Sequence, residues 1–173
     1  QSAEVSELKW ENLRQPGVPL IARYKIRIPG YAELAGSRII FVPNYFEHSG
    51  SAPFSAEKRK YPILFDAAWS EHDEVEITLP EGYTLDGASA PTNVGDPATD
   101  ALGVKYKLGY RGKQRLLSYK RDFSFGGKGN FVVPADKYLP IKTFFDAVKH
   151  SDEHSLILKP KAPAPAPAPA AQP

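Results

Sequence analysis

Between residues 22 and 125, several separate runs place apolar residues at every second position, and this spacing constrains the fold more than any other feature. Ala22, Tyr24, Ile26 and Ile28 alternate with Arg23, Lys25 and Arg27 before Pro29-Gly30 turns the chain. Val75, Ile77 and Leu79 alternate with Glu74, Glu76 and Thr78, and Pro80-Glu81-Gly82 ends that run. Val104, Tyr106, Leu108 and Tyr110 alternate with Lys105, Lys107 and Gly109. Arg111-Gly112-Lys113 then predicts a tight turn into 116–125, where Leu117, Tyr119, Phe123 and Phe125 share a face. Successive side chains of a strand point to opposite faces, so each run predicts a strand with one face buried. Shorter apolar runs at 38–42 and 61–69 complete a set of about seven to nine strands, which predicts an all-β fold, an antiparallel β-sandwich.

One segment departs from period two. Beyond Asp136, a predicted N-cap, Tyr138, Ile141, Phe145 and Val148 recur at helical spacing, with Phe144 beside them. That pattern predicts a helix near 136–150, with Pro140 in its first turn, where a missing N–H costs least. The helix is expected to plug an open end or edge of the sheets, and Leu156 and Leu158 mark a closing strand. Residues 1–16 are mainly polar, with Trp10 and Leu13 taken as their apolar anchors, and predict a linker or docking arm; 17–159 are expected to form the sandwich domain. Residues 160–173 are an Ala/Pro repeat that blocks helix and sheet alike, so an extended tail is expected, with Pro163, Pro165, Pro167 and Pro169 as docking candidates.

Composition removes several function classes. The chain has no cysteine, which excludes a disulfide framework, Cys-ligated metals and a thiol nucleophile. It has no methionine, so it is expected to be a processed or excised piece of a longer product. Lys+Arg total 22 and Asp+Glu 20, a balance of 22 − 20 = +2 that argues against general nucleic-acid binding. No apolar run is long enough for a transmembrane helix.

No motif assigns catalytic, cofactor-binding or metal-ligating residues. His150 and His154 stand in HSDEH, but Ser151 occupies the place where a zinc-protease helix needs its Glu. The pair is expected at a helix end, capping and solvated. Gly87-Ala88-Ser89-Ala90-Pro91 lacks the second glycine of a nucleophile elbow. Gly126-Gly127-Lys128-Gly129 lacks phosphate-loop spacing and predicts a hairpin loop, and Glu74 and Glu76 predict the wet face of a strand. Two cationic stripes, Arg23/Lys25/Arg27 and Lys105/Lys107 with Arg111, form with Trp10 the candidate interaction surface. Such stripes serve either a patch for an anionic glycan, lipid headgroup or protein, or an ordinary solvated sheet face partnered by acidic strands. Trp10, Tyr45, Phe46 and Trp69 are the aromatics considered for stacking on sugars.

A family resemblance runs through most of 17–159. It is carried by the strand at 22–28, Gly36-Ser37-Arg38-Ile39-Ile40-Phe41-Val42-Pro43, Phe54, and Arg59-Lys60-Tyr61-Pro62-Ile63. It continues through Val75-Glu76-Ile77-Thr78-Leu79-Pro80-Glu81-Gly82-Tyr83, then Tyr138 to Val148 with Phe144-Phe145, and Asp152-Glu153-His154. In that order these blocks resemble the C-terminal, non-catalytic β-sandwich domain of bacterial transglutaminase-like proteins, which are exported and carry a papain-like core. That core uses a Cys-His-Asp constellation; with no cysteine here, none of its catalytic residues carries over. The resemblance implies a non-enzymatic, periplasmic structural or interaction module without cofactors. Its expected partners are subunits of a larger membrane-associated complex or a covalently linked catalytic domain, with no nucleic acid. The alternative is a glycan-binding module using the cationic strand faces and exposed aromatics.

Overall fold

A computed structural model of the chain describes residues 2–47, 50, 52–95, 102–126 and 131–162. Its contacts fall into two units, 1–33 and 34–173. The first is a hairpin of β1 (Glu4–Glu11) and β2 (Ile21–Arg27), antiparallel, with Val5 opposite Ile26 and Trp10 opposite Ala22. The alternation at 22–28 thus makes a strand, but its partner is the segment expected to be a linker. A register shift between Ser6 and Lys9, with Glu7 at φ 53°, breaks the period of β1, so its apolar residues Val5, Leu8 and Trp10 fall out of phase. The border drawn from sequence at 16/17 therefore differs from the border between units at 33/34.

The strand β3 (Glu33–Ala35) straddles the border, and the second unit goes on with β4 (Arg38–Phe41), β5 (Ile63–Phe65), β6 (Trp69–Thr78), β7 (Tyr83–Leu85) and β8 (Val94–Gly95). These lead to β9 (Leu102–Arg111), β10 (Leu116–Phe125), β11 (Phe131–Val133), the helix α1 (Tyr138–Asp152) and β12 (Leu156–Pro160). The pairings given by register are all antiparallel. The main sheet has the order β6-β10-β9-β8, a second has β3-β4-β12-β7, and β11 pairs with β5. Several antiparallel sheets with one C-terminal helix make this an all-β fold. The turn after β9 is a single 3-10 turn, Gly112–Gln114, closed by Arg115 in the left-handed region at φ 54°.

The helix starts two residues later than expected. A 3-10 turn at Ala135–Lys137 precedes it, and no side chain caps it. Pro140, third in the helix, brings no N–H that needs a partner. Tyr138, Phe144, Phe145 and Val148 point into the core, against Val104, Tyr106, Tyr119, Phe123 and Phe125 on one face of the main sheet. The Phe125 and Phe145 rings lie 5.0 Å apart, and the Tyr138 hydroxyl donates to the Ala56 carbonyl at 2.6 Å. Pro160, the expected start of the tail, ends β12 opposite Tyr83, and the next amide, Lys161, donates to the Gly82 carbonyl at 2.7 Å. Pro163, Pro165, Pro167 and Pro169 lie outside the described residues, as do 127–130 of the expected glycine loop.

Candidate functional site

Along β10 the alternation places Leu117, Tyr119, Arg121, Phe123 and Phe125 on the inner face, and all five are buried. Arg121 is 2% exposed, an arginine in an aromatic row. A buried guanidinium persists only where ion pairs and hydrogen bonds replace its water. Asp152, in the last turn of α1, provides them. Nε of Arg121 donates to its Oδ1 at 2.8 Å and a terminal nitrogen donates to Oδ2 at 3.1 Å, a two-point clamp. The other terminal nitrogen donates to Glu71 at 2.7 Å and Asp73 at 3.3 Å, both from the inner face of β6. Asp152 Oδ1 also accepts from the Tyr106 hydroxyl at 2.7 Å and the Asn44 side-chain amide at 2.9 Å.

The cluster joins the end of the helix to three strands. Arg121 stands opposite Asp73 on one side and Tyr106 on the other. Burial alone would lower the Arg121 pKa, but hydrogen bonds and charge from Asp152 and Glu71 overcome it and hold the group above its ordinary value. Burial, then the hydrogen bond to Asp152, raises Tyr106, so its hydroxyl stays protonated. Burial also raises Tyr119, whose hydroxyl has no hydrogen-bond partner among the described residues.

Above the cluster opens a cleft of about 240 Å³. Arg121 and Glu71 line it, Trp69, Phe123 and Phe145 form its aromatic side, and Glu47 and Lys149 also border it. Trp69 stacks on Phe145 at 6.4 Å with an interplanar angle of 16°, and its Nε1 donates to Glu71 at 3.1 Å. Partial burial, then repulsion from Glu71, raises the Glu47 pKa above the ordinary carboxylate value. The arrangement suits binding: a rigid aromatic side, oriented carboxylates, and an ion pair fixed on several sides.

The residues expected to form an interaction surface are divided. Arg23, Lys25 and Arg27 lie in the hairpin unit, facing Glu11 at 2.6 Å, Glu7 at 2.7 Å and Glu4 at 3.9 Å. Lys105, Lys107 and Arg111 lie on β9 of the second unit. There Lys107 stands across from Lys120, which pairs with Glu74 at 2.5 Å, and Lys105 across from Asp122, which contacts His72 at 2.5 Å. Trp10 is 52% exposed, on the hairpin face away from the cations. Among the described residues no group of three or more His, Asp or Glu is arranged to hold a metal. His154 lies past the helix end, with Nε2 3.1 Å from the Ser89 carbonyl oxygen. No helix among the described residues is long and apolar enough to cross a membrane.

The class these features define is an antiparallel β domain with one helix locked on by a buried arginine–carboxylate cluster. A family model described as a domain of unknown function with solved-structure structure (DUF3858) matches residues 37–158, which is 122 of 173 residues. The chain belongs to that family. The match lies wholly within the second unit. No curated protein and no solved structure matches the chain.

Proposed function

We propose that the chain is a non-enzymatic interaction module of an exported, periplasmic protein, docking onto a papain-like transglutaminase-like domain through the hairpin β1–β2. The observation that carries this is the unequal treatment of the hairpin's two faces. One face sets Glu11, Glu7 and Glu4 against Arg23, Lys25 and Arg27, with Lys9 opposite Arg23; the other leaves Val5, Trp10, Tyr24 and Ile26 exposed. An isolated two-stranded hairpin is marginal in water, so an uncovered apolar face is the part a partner would stabilise. The resemblance carried by 22–28, 36–43 and the later blocks supplies the partner's class. With Arg23, Lys25 and Arg27 neutralised across the strands, diffuse attraction of anionic glycans has little support in this face.

Calorimetric titration of the 173-residue chain with a purified transglutaminase-like domain tests the reading. A saturable complex that Trp10→Ser weakens about tenfold or more is expected, because exposed aromatics dominate such contacts. Equal binding by the variant, or no complex, would overturn it.

A further inference from the structure

The cleft beside Arg121 is unbalanced in charge. Among the described residues that line it, Glu47, Glu71 and Asp152 stand against Arg121 and Lys149, a sum of −3 + 2 = −1, and Asp73 adds a further carboxylate on Arg121. The Glu47 carboxylate at the cleft is repelled by Glu71 and attracted by Arg121. Lys149, the other cation among the described residues lining the cleft, lies 3.6 Å from Glu153. The rest of the described lining is aromatic and aliphatic, with Trp69, Phe123, Phe145 and Val148 beside Gly50, Ala52 and Pro53. Carboxylates next to aromatic ring faces are the chemistry that holds an organic cation: the carboxylates pair its charge and the rings accept its methylenes and field. An anionic ligand would meet repulsion, and a purely apolar one would leave carboxylates stripped of water.

We propose that the cleft is a binding site for an alkylammonium group, the end of a lysine side chain presented by a protein partner. The ammonium lies between Glu47 and Glu71, and its methylenes run along Trp69 and Phe145. Hydrogen bonding of Trp69 to Glu71 and packing on Phe145 hold the receiving ring in place before the ligand arrives. This rests on the interaction-module reading only for the source of the lysine; the site itself lies within the second unit and needs no part of the hairpin.

The test uses the full chain carrying Trp10→Phe, so that emission reports Trp69 alone, and n-butylammonium chloride as the probe. A saturable change in emission, beyond that caused by sodium chloride at equal ionic strength, is expected. Glu47→Gln should raise the apparent Kd about tenfold, as loss of one charge-assisted contact does, while circular dichroism stays unchanged. Neutral n-butanol should produce no saturable change. Equal affinity in Glu47→Gln, an equal response to n-butanol, or saturation by cellobiose in place of butylammonium would each overturn the proposal. Loss of transglutaminase-domain binding in Trp10→Ser with butylammonium binding retained leaves the cleft standing; the reverse pattern overturns the cleft alone.

Discussion

At the scale of single residues, the molecule turns on Arg121. Removing one member of a buried ion pair costs about 3–5 kcal/mol, because the other is left charged and unsolvated. Asp152→Ala strips Arg121 of its two-point clamp and leaves Asn44 and Tyr106 without the same acceptor. Urea denaturation of Asp152→Ala should therefore show a loss in that range, against well under 1 kcal/mol for Asp136→Ala on the surface. Glu47 gives a signed pH test. Its folded pKa is raised, so its ionised form costs stability at neutral pH, and that cost disappears as pH falls below both its folded and unfolded values. Glu47→Gln should have the higher Tm at pH 7 and no advantage near pH 4. Arg121 was legible in the sequence, since the alternation of Tyr119 and Phe123 puts position 121 on the same inward face. It is not among the residues the sequence singles out, because its counter-ion lies 31 residues away. Glu71 and Asp73 follow by extending the phase of Val75 and Ile77 backwards, whereas nothing local to Asp152 announces its role.

At the scale of elements, β6, β9 and β10 match their alternation because each has one face on the core and one in water. The helix was legible from its apolar stripe, although its first turn was misplaced: the 3-10 turn at 135–137 takes up Asp136, the residue expected to cap it. β1 was missed for a different reason, since a bulge at Glu7 destroys the very period by which strands are recognised. β8 is a two-residue strand whose Gly95 sits at φ 122°, and a Cβ there would collide with the Leu102 carbonyl and the Gly103 backbone. Gly95→Ala should cost about 1–3 kcal/mol and speed amide exchange at Val104 more than at Leu156, as read by exchange mass spectrometry.

At the scale of the whole molecule, the second unit is a β domain whose helix is fastened by charge as well as by aromatic packing, and the first is a hairpin with an uncovered apolar face. This face is proposed to dock a transglutaminase-like domain. Hydrogen exchange of the 173-residue chain, alone and with that domain, tests it most directly. Fast exchange at 4–11 and 21–27 is expected in the chain alone and strong protection there in the complex, with β10 slow in both. Unchanged exchange in the hairpin on addition of the domain, or protection confined to the outer face of β9 around Lys105 and Lys107, would contradict it.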